Sequence, residues 1–276
     1  MAETAWIIST DLDASLLDGN YVWDGAKAAL KVIAEAGIPL ILNSSKTLAE
    51  MHFYSQALRL STPLIAENGT VIAFPKSMEW MPDSVDIEDG YGLLRSSMNR
   101  TKILDIAHEL RNSKGYNFIG FNDSTAEELA DRLGLEIEAA KAALKRYGTE
   151  PIVWKDSDEA LIAFKGALEN EGITLIRGGH FYHLMPVGAS KGAAMQSVRD
   201  FYQKESAEFT WKTLAIGDSP NDLSMLELAD EALVIPNPFN GTLQLKRSDY
   251  TIADASGPSG WGDAVIKLLN AFLCPI

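Results

Sequence analysis

The stretch Trp6-Ile7-Ile8-Ser9-Thr10-Asp11-Leu12-Asp13 decides how the rest of the chain is read. A short apolar run that closes on hydroxyls and carboxylates is the pattern of a buried parallel strand with polar groups just past its carboxyl end. Working outward, Ala26, Leu30 and Ile33 recur at helical spacing between Lys27, Lys31 and Glu35, and Gly37 ends that helix. Ile38 to Leu42 is a second apolar strand. Thr47-Leu48-Ala49-Glu50 reads as a capping box opening a helix through Met51, Tyr54 and Leu58. Pro63 to Ala66 reads as a third strand, and Asn68-Gly69 as a turn into Val71-Ile72-Ala73. Strand, helix, strand, helix, strand at this spacing predicts a parallel sheet with right-handed crossovers.

The middle of the chain has a different rhythm. Between Pro82 and Pro186 the predicted strands are short, at Phe118-Ile119, Ile152-Val153-Trp154, Thr174-Leu175-Ile176 and Tyr182-His183-Leu184. Helices are predicted among them near Ile103–Leu110, Thr125–Leu133, Ile137–Lys145 and Asp158–Glu169. After Lys191 the first rhythm resumes: a helix to about Tyr202, strand Thr213–Ile216, helix Leu223–Leu228, strands Leu233–Ile235 and Tyr250–Ala253, and a helix Trp261–Phe272. The predicted fold class is α/β, a Rossmann-like parallel-sheet core domain over residues 1–82 and 187–276, interrupted by an inserted α+β domain over residues 83–186.

Length agrees with two folding units, since 276 residues at roughly 150 per domain gives about two. With 46% apolar and 22% charged residues, the composition is that of an ordinary globular protein. The single cysteine, Cys274, excludes an internal disulfide and points to a reducing compartment. Against 38 Asp and Glu stand 24 Lys and Arg, a formal charge of −14. That balance argues against nucleic acid and against an anionic membrane surface as partners. No apolar run approaches the ~20 residues of a spanning helix, and the N-terminus lacks the basic start of a signal peptide. A cytoplasmic location is therefore expected.

Three polar loops fall where an open α/β sheet holds its ligand, beyond the carboxyl ends of strands. They are Asp11-Leu12-Asp13, Asn43-Ser44-Ser45-Lys46 and Gly217-Asp218-Ser219-Pro220-Asn221-Asp222; Ser190-Lys191-Gly192 opens a helix beside them in the scheme. If the four meet, several carboxylates share one ammonium. Like charges at close range repel and desolvation adds to the penalty, so such a cluster calls for a hard divalent cation, of which Mg2+ is the usual choice with phosphate oxygens. Alone, an Asp-x-Asp is a turn or a helix cap; four such loops at four element ends point to a site instead. Asp11 could attack phosphorus as a carboxylate, and Asp13 could protonate the leaving alkoxide. A cation on Asp11 and Asp218 would neutralise charge, and Ser44, Lys191 and a helix N-terminus would hold phosphoryl oxygens.

Asp11-Leu12-Asp13-Ala14-Ser15-Leu16-Leu17, Ser44, Lys191 and Gly217-Asp218-Ser219-Pro220-Asn221-Asp222 together resemble the four ordered motifs of the haloacid dehalogenase superfamily of phosphatases. The insert resembles that superfamily's type C2 cap. Within the superfamily, Ser44-Ser45-Lys46-Thr47, Glu67-Asn68-Gly69 and Arg177-Gly178-Gly179-His180-Phe181-Tyr182-His183 resemble mannosyl-3-phosphoglycerate phosphatases. The resemblance implies an Mg2+-dependent phosphoric monoester hydrolase acting through an aspartyl-phosphate on a small phosphorylated sugar or glycerate. It implies Asp11 as nucleophile, Asp13 as acid/base, and Mg2+ on Asp11, the Asp13 carbonyl and Asp218, with Asp222 and Asn221 supporting the metal shell and Lys191. Two positions depart from the pattern. Ala14-Ser15 stands for the usual Gly-Thr, and His180 stands where an arginine is expected.

Competing readings are weaker. Gly188-Ala189-Ser190-Lys191-Gly192 fits a serine-hydrolase nucleophile elbow, but all four histidines (52, 108, 180 and 183) precede Ser190, the wrong order for that fold. His180 and His183, three apart in a strand, would face opposite sides and make a poor metal pair. Arg177 with Gly178 and Gly179 is either a clamp for a substrate carboxylate or an ordinary strand-end arginine at a hairpin, and His183 is either structural or a substrate contact. Two alternatives to a mannosyl-3-phosphoglycerate phosphatase remain: a broad sugar-phosphate phosphatase, or a catalytically silent phospho-ligand binder. Intact Asp11, Asp13, Lys191 and Asp218 count against the last.

Overall fold

The computed structural model describes residues 3–78, 80–179, 181–238 and 241–273; Cys274 and His180 lie outside them. The chain opens with β1 (Glu3–Thr10), α1 (Lys27–Glu35) and β2 (Leu40–Leu42). Then come α2 (Leu48–Ala57), β3 (Leu64–Ala66), β4 (Val71–Pro75), β5 (Asp86–Glu88) and β6 (Tyr91–Arg95). Next are α3 (Arg100–Lys114), β7 (Phe118–Gly120), α4 (Ala126–Leu133), α5 (Ile137–Leu144) and β8 (Glu150–Trp154). They lead to α6 (Asp158–Asn170), β9 (Ile173–Arg177) and β10 (Tyr182–Pro186). The last stretch holds α7 (Lys191–Glu205), β11 (Phe209–Gly217), α8 (Leu223–Leu228), β12 (Glu231–Val234), β13 (Thr251–Ile252) and α9 (Gly257–Leu273). These elements form two compact units, Met1–Ser44 with Lys191–Ile276, and Ser45–Ser190.

The first unit carries a five-stranded sheet in the order β13-β12-β11-β1-β2, parallel throughout. From β1 the chain continues to β2 on one side, and β11 arrives on the other. The crevice at such a switch point is where open α/β sheets bind ligands. The register is level there: Thr10 stands opposite both Ile216 and Leu42. The ladder runs one step past the strands, with the Asp11 N–H on Ile216 O at 2.9 Å and the Asn43 N–H on Thr10 O at 2.8 Å. Ile7 to Thr10 are buried, as a strand covered on both faces requires.

The second unit holds two four-stranded sheets, β7-β8-β10-β9 and β3-β4-β6-β5, each antiparallel throughout. One expectation is corrected here. Pro63 to Ala66 does not add a third strand to the parallel sheet; Leu64–Ala66 pairs antiparallel with Val71–Ala73. The cause is the turn Glu67-Asn68-Gly69, whose φ angles of +51°, +57° and +91° send the chain straight back. The first boundary read from the sequence, near residue 82, falls between β4 and β5 of this one sheet. The turn is locked by its own side chain. The buried Glu67 carboxylate accepts from the Tyr147, Gly148 and Thr149 N–H groups and, at 2.7 Å, from the Thr149 hydroxyl. The capping box at Thr47 and Glu50 is present. Among the described residues no helix is long and apolar enough to cross a membrane.

Candidate active site

The segments that follow β1, β2, β11 and β12 bring polar residues to the same edge of the first unit. Lys191, at the start of α7, is wholly buried, with Nζ 2.5 Å from Asp11 Oδ1 and 2.5 Å from Asp222 Oδ1. The other oxygen of Asp222 accepts from the N–H groups of Asp218 (3.0 Å) and Ser219 (2.9 Å). That closure needs glycine at 217, where a Cβ would come within 2.5 Å of the Asp222 Cβ. Asp218 accepts from the Ser15 hydroxyl at 3.1 Å, the Ser219 hydroxyl at 2.7 Å and the Asn237 amide. Carboxylate oxygens of Asp11, Asp218 and Asp222 all lie within 4.8 Å of one another.

The remaining residues singled out in this unit sit at the same edge. Ser44 is buried directly after β2, Asp13 is half-buried, and Asn221 is half-buried within the tight turn Pro220–Asp222. Ala14 adopts φ +61°, the left-handed region that the usual glycine takes without strain. Two neighbours were given no role of their own from the sequence: Asn43, named there only as the start of the second polar loop, and Asn237, which was not named. The Asn43 amide, fully buried, donates to Lys191 O at 3.1 Å and to Ser9 Oγ at 3.1 Å, tying β2 to the first turn of α7. Asn237 follows β12, and its signal was a polar residue beyond yet another strand end in Ile235-Pro236-Asn237-Pro238.

The electrostatics follow from three buried carboxylates around one ammonium. Burial, reinforced by Asp222, Asp218 and Asp13 and opposed by Lys191, raises the Asp11 carboxyl well above the usual carboxylate range. Burial and the Asp222 charge push Asp218 up to about 6 against the help of its hydrogen bonds from Ser219 and Asn237. Burial disfavours the Lys191 ammonium, but Asp11 and Asp222 outweigh it and hold its pKa above the ordinary value. Three carboxylates thus share the single ammonium of Lys191 among the described residues of the cluster. Asp222 is held by the Lys191 ammonium and two backbone N–H groups and Asp218 by three neutral side chains, so Asp218 with Asp11 offers carboxylate oxygens that could hold a cation without displacing the lysine from Asp222. An all-oxygen, net anionic donor set of this kind fits a hard divalent ion.

A family of haloacid dehalogenase-like hydrolases matches residues 8–238. The chain belongs to this family. Across 265 residues it is 30% identical to a glucosyl-3-phosphoglycerate/mannosyl-3-phosphoglycerate phosphatase of Persephonella marina, covering 96% of this chain and 97% of the relative. A protein of the same description from Methanococcoides burtonii is 31% identical over 273 residues, with the same 96% and 97% coverage. Solved structures share the fold: one from Thermoplasma acidophilum has a TM-score of 0.67 at 18% identity, covering 97% of this chain and 99% of its own. One from Streptococcus mutans has 0.66 at 19%, covering 96% and 99%. As a member of this family with phosphatase relatives over nearly its full length, the chain is a phosphoric monoester hydrolase.

The second unit has its own cluster of the residues singled out. Arg177 ends β9 and Tyr182 begins β10, paired across a tight hairpin closed by the Gly178 N–H on Phe181 O at 2.8 Å. The exposed Arg177 guanidinium lies 4.8 Å over the Tyr182 ring. Gly178 is buried and Gly179 exposed. A Cβ at Gly178 would come within 2.9 Å of Nε2 of the buried His183, so the glycine lets the histidine ring pack under the turn.

Proposed function

We propose that this phosphatase hydrolyses a glycosyl-3-phosphoglycerate, with mannosyl-3-phosphoglycerate giving mannosylglycerate as the first choice, through an aspartyl-phosphate on Asp11. The observation that carries the reading is Lys191 bridging Asp11 and Asp222, with Asp218 in the same cluster. Asp11 and Asp218, with the Asp13 carbonyl, would hold Mg2+, which when bound neutralises charge on the phosphoryl group. Asp222, its oxygens occupied by Lys191 and two N–H groups, holds the lysine and the Asp218 loop in place. The substrate class is supported by the two phosphatase relatives, both described by that pair of glycosyl-phosphoglycerates.

In the first step Asp11 attacks phosphorus, the bond from phosphorus to the ester oxygen breaks, and Asp13 gives its proton to that oxygen. In the second, Asp13 takes a proton from a water that attacks the same phosphorus, releasing phosphate and restoring the Asp11 carboxylate. Ser44, Lys191 and Asn221 hold the phosphoryl oxygens. The second unit, residues 45–190, acts as the cap that selects the substrate, with the exposed Arg177 as the candidate clamp for a glycerate carboxylate, Gly178 and Gly179 shaping its turn, and the buried His183 supporting that turn from beneath. The substrate reading is tested by steady-state kinetics on a panel of hexose phosphates and glycosyl-3-phosphoglycerates. The highest kcat/KM belongs to a glycosyl-3-phosphoglycerate; a simple hexose phosphate in first place overturns the assignment in favour of a broad sugar phosphatase.

A further inference from the structure

Trp261, in the first turns of α9, is wholly buried in the first unit, and its indole N–H donates to Thr10 Oγ1 at 2.9 Å. The hydroxyl of Thr10 in turn donates to the main-chain carbonyl of Asp11, also at 2.9 Å. The direction of this chain is fixed by chemistry: an indole N–H can only donate and a carbonyl can only accept. The indole therefore fills a lone pair of the hydroxyl and leaves its single proton for Asp11. On its other side the Asp11 N–H is held by Ile216 O. Both polar groups of the Asp11 backbone are thus tied, one to β11 and one, through Thr10, to the C-terminal helix.

Packing reinforces the link. A Cβ on Gly262 would come within 2.6 Å of Gly25 O, so glycine lets the start of α9 approach the segment before α1 closely enough to sink the indole. Phenylalanine would fill most of that volume. What tryptophan adds is the N–H, which when buried must find a partner.

We propose that Trp261 is a positioning residue for Asp11, acting through the Thr10 hydroxyl to set the aim of the carboxylate at phosphorus. The inference rests on the reading of Asp11 as nucleophile. A nucleophile displaced by a fraction of an ångström loses rate without losing ground-state binding.

The test uses the full chain with Mg2+ and p-nitrophenyl phosphate. Trp261→Phe and Thr10→Val each lower kcat about five- to tenfold, the range set by one neutral hydrogen bond, with KM within about twofold of the starting protein. The double variant is no slower than the slower single one, and Thr10→Ser recovers the loss seen in Thr10→Val. Multiplying effects, or kcat unchanged in both single variants, would overturn the inference. An independent readout is the indole N–H resonance of Trp261, which moves in Thr10→Val; a resonance that stays in place also overturns it, even if Trp261→Phe does not fold. Asp11→Asn separates the two layers. Turnover retained there refutes the nucleophile reading, whereas its loss combined with independent Trp261 and Thr10 effects refutes only the positioning role.

Discussion

Lys191 and Asp222 form a 2.5 Å ion pair in which neither side chain has any solvent exposure. Such a pair is poor evidence for stability and good evidence for a site, because its desolvation is offset only while every partner is present. Replacing Lys191 by Met leaves Asp222 and Asp11 buried without their counter-charge. The expected result is destabilisation of about 3–5 kcal/mol in cation-free protein, read by urea unfolding, with loss of phosphatase activity.

Ala14 carries a backbone that its side chain disfavours, at φ +61°. Ala14→Gly should raise stability by about 1 kcal/mol, because the left-handed strain removed exceeds the added freedom of the unfolded chain. For a unit of this size that is a rise of about 2–4 °C in Tm by calorimetry. An unchanged or lower Tm contradicts the strain argument.

Asp218, pushed up to about 6 from an ordinary 3.8, would make the proposed cation site pH-dependent. Between those values the folded protein keeps a proton that the unfolded chain has released. This group's contribution to the stability of cation-free protein therefore falls as pH rises from 3.8 to about 6, then stays level. Cation binding needs the carboxylate, so affinity climbs over the same range. The Tm increase produced by a fixed Mg2+ concentration is expected to be larger at pH 7.5 than at pH 5. Equal increases would show that Asp218 does not govern the site.

Glu67 makes the matching prediction for the second unit. Its carboxylate accepts four hydrogen bonds from residues 147–149, and Gln can offer only one accepting oxygen while adding two donors. Glu67→Gln should destabilise by about 2–3 kcal/mol, read as a shift in the urea midpoint with an unchanged slope. A shift below about 0.5 kcal/mol would mean that the loop at 147–149 holds without it.

The parallel sheet was legible because the chain writes it twice, as apolar runs closing on polar loops at Asp11 and again at Asp218. Leu64–Ala66 misled for a physical reason. A three-residue apolar strand reads the same in any buried sheet, and its partner was decided by a turn whose first two residues, Glu67 and Asn68, are both left-handed without being glycine. β5 was missed because Asp86-Ile87-Glu88 is exposed and carries no buried-strand signature, and β6 because Tyr91-Gly92-Leu93-Leu94-Arg95, though half buried, is short and interrupted by a glycine. The cluster of Asp11, Lys191, Asp218 and Asp222 could be anticipated because each residue ends a strand or opens an element. The Trp261–Thr10 link could not, since 251 residues separate a helix residue from a strand residue with no pattern joining them.

The central claim is that Asp11 takes the phosphoryl group. Rapid acid quench of the enzyme turning over a substrate carrying 32P in its phosphate group, followed by peptide mapping, tests it most directly. The account predicts label on the peptide containing Asp11 within the first turnover, and neither label nor turnover in Asp11→Asn. Label on another residue, or an Asp11→Asn protein that still hydrolyses the substrate, would contradict it.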